Sequence, residues 1–368
     1  MEQRTEDSIR KWHKWLQKYI TDEAECTKVM GYVSAVLGKG LPVIVGVNHL
    51  AKLTGVDSDT MKSMITSSRS FYKTFMIPKR KGGLRKIEAP YPTLLKVQRW
   101  IYESILLKIP LNEDATGFVR GKSIVNNAEV HVGKKCVVKM DVQDFFPSIK
   151  WYQIYAIFHR LGYPKNISQY LTSLCCLNGA IPQGAATSPA LSNIFSKRLD
   201  ARLAGLSKKY SVVYTRYADD VTFSGDYISR GFVGKVHAIF ADERLTLNEK
   251  KNRWLRGNCQ KIITGISISS GKMKVPRFNR RIVRQQVYYI RKYGLYNHME
   301  RIGVGDPVYL LRLIGYLNFW KSVEPENEFV CSSLIFLSEI SAANEKQRVS
   351  IEPIPQQIEF EEFVLNFE

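Results

Sequence analysis

The stretch that decides the fold runs Val212-Val213-Tyr214-Thr215-Arg216-Tyr217-Ala218-Asp219-Asp220-Val221-Thr222-Phe223-Ser224-Gly225. β-Branched and aromatic residues on both sides predict two strands of a hairpin, with the two adjacent acids at its tip. Asp is a poor strand former, and paired carboxylates between apolar runs are destabilising unless a cation neutralises them. An ordinary Asp-Asp turn would account for this stretch alone. A second stretch asks for more: Cys136-Val137-Val138-Lys139-Met140 is a strand-forming run that delivers Asp141 at its end, ahead of Val142-Gln143-Asp144-Phe145-Phe146. Carboxylates on two strands of one sheet suit Mg²⁺, which takes one or two of them plus substrate phosphates. Two such ions, about 3.5–4 Å apart, stabilise the attacking and leaving oxygens of an in-line phosphoryl displacement. The acids therefore predict metal-assisted phosphoryl transfer.

Charge points to the same class of substrate. The 368 residues include 54 Lys and Arg against 34 Asp and Glu, a formal net charge of +20. Such an excess fits a polyanion, either nucleic acid or an anionic membrane. It is unevenly spread: residues 323–368 hold two basic residues and ten Glu, a net of −8, which leaves +28 on residues 1–322. No stretch reaches the ~20 apolar residues that span a bilayer. The opening MEQRTEDSIRKWHKW has no apolar signal core. The six Cys contain no CxxC and are read as reduced thiols, so the expected location is the cytoplasm, with no membrane partner.

Periodicity supplies the remaining elements. Residues 1–40 predict an amphipathic helix carrying Trp12, Trp15, Leu16 and Ile20. Leu50 to Met61 predicts two helices about a Gly55 turn, with Ser58 or Asp59 as cap of the second; packed helices of a larger lobe are preferred over a DNA-reading pair. FYKTFMIPKRKGGLRKIEAP (71–90) predicts a β-hairpin whose tip carries Lys79, Arg80, Lys81, Arg85 and Lys86. KVPRFNRRIVRQQVYYIRKYG (274–294) interleaves Arg280, Arg284 and other basic residues with Tyr288, Tyr289 and Tyr293. Its charges suit phosphates, and its tyrosines are either base-stacking or core. Asn127 and His131, four apart, share a helical face and can bond each other or RNA, or His131 is a buried structural residue.

Tyr217-Ala218-Asp219-Asp220, the preceding Asp141-x-x-Asp144-Phe145-Phe146, and Pro182-Gln183-Gly184 between them resemble the reverse transcriptases. Leu247-Asn248-x-x-Lys251 and a hairpin at 261–275 follow in family order. Asn127-Ala128-x-x-His131 resembles a motif of the retron branch, and Ile263-Thr264-Gly265 stands where that branch has Val-Thr-Gly. The resemblance covers about nine-tenths of the chain, to roughly residue 345. It implies an α+β right-hand polymerase fold: N-terminal helices and fingers (1–135), a palm of antiparallel sheet with helices (136–260), a primer-grip hairpin and helical thumb (261–344), and an acidic extension (345–368).

The implied activity is RNA-directed DNA synthesis. A cognate structured noncoding RNA would be copied in part from dNTPs, and the DNA product would stay covalently linked to it. An antiphage role with a separately encoded effector protein is implied as well. In this scheme Asp141 and Asp219 hold two Mg²⁺ ions, Asp220 is auxiliary, and the Val142 carbonyl completes the ligand set of the second ion. Lys79 and Arg85 grip the triphosphate, Phe146 excludes a 2′-hydroxyl, Gln183 contacts the nucleotide, and Lys251 or its neighbour Lys250 is the active-site lysine. Asn127, His131, Ile263, Thr264, Gly265, Arg280 and Arg284 are the expected nucleic-acid contacts. The competing readings are a group II intron-like or abortive-infection reverse transcriptase and, in another class, a catalytically silent RNA-binding scaffold.

Overall fold

The computed structural model describes residues 2–79, 82–257 and 259–349. It divides into two compact units, Met1–Thr264 with Ile268–Lys272, and Gly265–Ser267 with Met273–Glu368. Arg80 and Lys81 lie outside the described residues, as does most of the expected acidic extension.

The first unit opens with α1 (Glu2–Leu16) and α2 (Glu23–Gly38), two helices where the periodicity predicts one. The break has a physical cause, because the Asp22 carboxylate accepts from the Ala24 N–H at 3.0 Å and starts a new helix. Leu16, Cys26, Val33 and Val43 make a small core there, with Trp12 and Ile20 against it. α3 (Val47–Thr54) ends on Gly55 at φ +63°, a left-handed cap that favours glycine, and α4 (Ser58–Thr66) follows. The cap of α4 is Asp57, one residue before the expected ones, accepting from Asp59 and Thr60 at 3.1 and 2.8 Å. Leu50, Ala51, Met61 and Met64 enter the main core, so the pair is lobe packing.

β1 (Tyr72–Pro78) and β2 (Leu84–Pro90) form the antiparallel basic hairpin, with Gly82 and Gly83 both at positive φ. α5 (Pro92–Ser104) and α6 (Ile124–Glu129) lead to β3 (Cys136–Asp141). Then come α7 (Phe145–Ser148), α8 (Trp151–Leu161), α9 (Lys165–Cys175), α10 (Ser188–Phe195) and α11 (Lys197–Lys209). β4 (Val213–Tyr217), β5 (Asp220–Gly225), α12 (Arg230–Asp242) and β6 (Arg253–Leu255) close the unit's sheet. The strand order is β4-β5-β3-β6, antiparallel throughout. Val137, Val138 and Met140 of β3 and Val221 and Phe223 of β5 are buried, most of them in a single core with α8 to α12. Cys26, Cys136, Cys175 and Cys176 are free and buried, and burial pushes the Cys175 thiol up to about 12.

β7 (Ile262–Ile263) and β8 (Ile266–Ser267) flank a Thr264-Gly265 turn, both residues at positive φ as a tight hairpin requires. The second unit continues as α13 (Arg277–Tyr293), α14 (Leu295–Arg301), α15 (Tyr309–Val323) and α16 (Glu328–Val349). Val283, Val287 and Ile290 form the buried stripe of α13, packed in a unit that also buries Leu313, Leu317 and Trp320. Among the described residues no helix is long and apolar enough to cross a membrane.

Candidate functional site

The sheet register brings the separated acids together. Asp141, the last residue of β3, is the Cα partner of Asp220, the first of β5. Asp219 sits in the turn beside Ala218, which adopts φ +57°. One acid, not two, therefore occupies the tip, because Asp220 already pairs with Tyr217 in the ladder. The Val142 N–H donates to the Asp219 carbonyl at 3.0 Å, which ties the two acidic stretches by their backbones.

Their electrostatics are costly as they stand. Burial, then the Asp220 and Asp141 charges, push the Asp219 carboxyl up to about 6. Burial and Asp141 also raise Asp220, against the pull of Lys139. Lys251 Nζ donates to both Asp141 oxygens at 2.7 and 2.8 Å, so Lys251 rather than Lys250 meets the carboxylates. No group of three or more His, Cys, Asp or Glu able to hold an ion by itself occurs among the described residues. The site fits instead a hard cation that takes its remaining oxygens from a substrate, and such an ion would relieve the crowded charge.

Around the acids is a cleft of about 840 Å³. Lys79, Arg85, Asp141, Phe146, Gln183, Asp219 and Lys251 all line it, as do Val142 and Lys250; Asp220 does not. Phe145 is core, whereas Phe146 is half-buried and faces Phe118 at 6.3 Å between ring centroids. Gly184, at φ +131°, has a reason of its own to be glycine, since a Cβ there would lie 2.7 Å from the Glu88 carbonyl oxygen of β2. The Gln183 carbonyl accepts from the Glu88 N–H at 2.8 Å, fastening the loop to the basic hairpin.

The reverse transcriptase (RNA-dependent DNA polymerase) family matches residues 77–284. The Retron Ec86 reverse transcriptase of Escherichia coli is 32% identical over 255 residues, 68% of this chain and 80% of that protein. The Retron Mx65 reverse transcriptase of Myxococcus xanthus is 33% identical over 289 residues, 72% of this chain and 65% of that one. This chain belongs to the retron-type reverse transcriptases. It is an RNA-directed DNA polymerase, and its mixed helix-and-sheet architecture is the family's right-hand fold. Among solved structures, a Candida albicans telomerase aligns with a TM-score of 0.41 at 12% identity, over 76% of this chain and 60% of that one; the assignment rests on the family and the retron relatives.

In this reverse transcriptase the acidic turn stands on supports that the motifs do not include. Arg216, fully buried, donates to both Asp200 oxygens at 2.7 Å, to Asn193 Oδ1 at 3.0 Å and to the Ala218 carbonyl at 3.1 Å. Burial works against the Arg216 charge, and the Asp200 carboxylate outweighs it. The loop before α6 is pinned along β4, with Arg216 N–H donating to the Asp114 carbonyl and Thr116 N–H to that of Arg216. Gly117 then lies so close that a Cβ would stand 2.5 Å from the Ala218 nitrogen.

The retron-branch motifs are placed differently from what their spacing suggests. His131 is wholly buried, with Nδ1 2.6 Å from Ser224 Oγ and Nε2 2.8 Å from Thr215 Oγ1, and burial, then Lys134, lowers it to about 3. It has no surface to offer RNA and does not bond Asn127, because α6 ends at Glu129. Asn127, also buried, accepts from Thr116 and reaches Thr264 Oγ1 at 3.4 Å, while Thr264 donates to the Ile124 carbonyl. Ile263 is fully buried too, so of these positions only Thr264 and Gly265 are partly or fully open to a ligand. In the second unit Arg284 is exposed but covers the Trp320 and Phe329 rings at 5.7 and 5.0 Å, and Arg280 is half-buried. Tyr289 stacks on Tyr293 and His298, whereas Tyr288 is exposed.

Proposed function

We propose that this reverse transcriptase carries out two-metal nucleotidyl transfer at Asp141, Asp219 and Asp220 with Mg²⁺, and copies part of a cognate noncoding RNA into DNA that stays covalently joined to it. The observation that carries the reading is the meeting of Asp141 and Asp219 in one cleft with Lys79, Arg85 and Lys251. Asp141, Asp219 and the Val142 carbonyl would hold the ions, with Asp220 behind them. When bound, the ions supply charge neutralisation at the attacking and leaving oxygens.

The chain's own side chains do the rest. Lys79 and Arg85 meet the triphosphate with charge-assisted hydrogen bonds. The half-buried Phe146 ring occupies the space that a 2′-hydroxyl would need, which selects dNTPs. Gln183 contacts the incoming nucleotide from the loop fastened to β2. Likeness to retron enzymes extends the proposal to an antiphage role beside a separately encoded effector, in the cytoplasm. Sequencing the nucleic acid that copurifies tests the product: a 2′–5′ branched RNA–DNA species is expected, and RNA with no attached DNA contradicts the reading.

A further inference from the structure

A cavity of about 830 Å³ opens on the first unit between α1 and α3, and shares no lining residue with the cleft. Trp12, Trp15, His49, Lys11 and Lys52 line it, and among the described residues no Asp or Glu does. The Trp12 and Trp15 rings meet edge to face at 5.4 Å, Tyr19 follows Trp15 at 4.8 Å, and His49 flanks Trp12 at 5.9 Å. Trp12 and Leu16 of α1, with Ile20 just beyond its end, account for the packing of this segment against its small core. Trp15 and Tyr19 lie outside that packing, 43% and 70% exposed, so folding does not explain them. The Val45 N–H donates to His49 Nδ1 at 3.4 Å, which leaves Nε2 to carry the ring proton.

We propose that this cavity is a second nucleic-acid site, stacking an unpaired base of single-stranded RNA on Trp15 while Lys11 and Lys52 meet the flanking phosphates. Exposed rings beside ammonium groups are the composition of a stacking platform, because every base has a π-face and every linkage an anion. An apolar peptide would satisfy the rings and leave both lysines facing an uncharged partner. RNA satisfies both, and it matches the +28 carried by residues 1–322. The proposal rests on the reading of the protein as an enzyme that copies RNA.

The test uses the full chain with its cleft filled by a preannealed primer–template, and a short fluorescein-labelled single-stranded RNA of mixed sequence as probe. Trp15→Ala and Lys52→Ala should each weaken probe binding, Trp15→Ala by about tenfold as the loss of one base stack implies. Trp15→Phe should restore most of the binding, and extension of the preannealed primer should stay at the wild-type level in all three variants. Equal probe affinity in wild type and Trp15→Ala overturns the proposal, including the case in which a protein segment occupies the cavity. A wild-type enzyme that extends no primer removes the polymerase reading, and the proposal falls with it.

Discussion

A methyl group added to Gly117 would stand 2.5 Å from the Ala218 nitrogen and 2.9 Å from the Tyr217 carbonyl carbon, both backbone atoms. Backbone cannot swing aside, so Gly117→Ala displaces the turn that holds Asp219. A misplacement of about 1 Å at a reacting centre can lower rate by ~10²-fold. Primer extension by this variant should fall by that order while its circular dichroism stays native, and wild-type turnover would contradict the placement. Phe146→Ala should raise the use of ribonucleotides relative to deoxynucleotides; an unchanged preference would move the gate elsewhere. His131 makes a pH prediction. Its folded value of about 3 lies below the unfolded 6.5, so its contribution is complete above pH 6.5 and is lost as pH falls toward 3. Melting temperature should therefore drop between pH 7 and 5 more steeply in wild type than in His131→Asn, and parallel curves would contradict this. The three acids stand out in the sequence because their chemistry is local, whereas the choice between Lys250 and Lys251 needs the fold, which sets Lys251 Nζ 2.7 Å from Asp141. The burial of His131 is not legible in the sequence either, since its partners Ser224 and Thr215 lie 93 and 84 residues away along the chain.

The β4–β5 hairpin is readable as an element, but the device beneath it is not. Alternation places Arg216 on the inner face of β4, where sequence alone shows an arginine in a strand and nothing to neutralise it. The partner Asp200 sits on α11, and only packing brings it within 2.7 Å. Removing one member of a buried ion pair leaves an unpaired charge and costs about 3–5 kcal/mol, whereas replacing both with apolar residues is often near neutral. Denaturant unfolding should thus show Arg216→Met strongly destabilised and the Arg216→Met/Asp200→Leu double variant closer to wild type. Equal losses in the two would show that the pair is not what holds the turn. The same limit explains the N-terminal helices: the hydrophobic period runs through residue 20, and the Asp22 cap that divides them is a side-chain bond.

At the scale of the whole molecule, charge is informative from composition alone. The +20 net charge points to a polyanion, and the family match makes that polyanion nucleic acid. The charge carries a measurable consequence, since log affinity for RNA should fall linearly with log salt, with a slope of about −0.7 per phosphate neutralised on a single strand. Asp141, Asp219 and Asp220 run against this basic background. Burial and mutual repulsion hold Asp219 up at about 6, a charge arrangement that a bound divalent cation relieves. The most direct measurement is primer extension on an RNA template with dNTPs, comparing wild type with Asp219→Ala and Asp220→Ala, each with Mg²⁺ and with excess chelator. Wild type should extend with Mg²⁺ and not in chelator, Asp219→Ala should not extend at all, and Asp220→Ala should be severely reduced. Extension by Asp219→Ala at the wild-type rate, or by wild type in chelator, would contradict metal-assisted transfer at these acids.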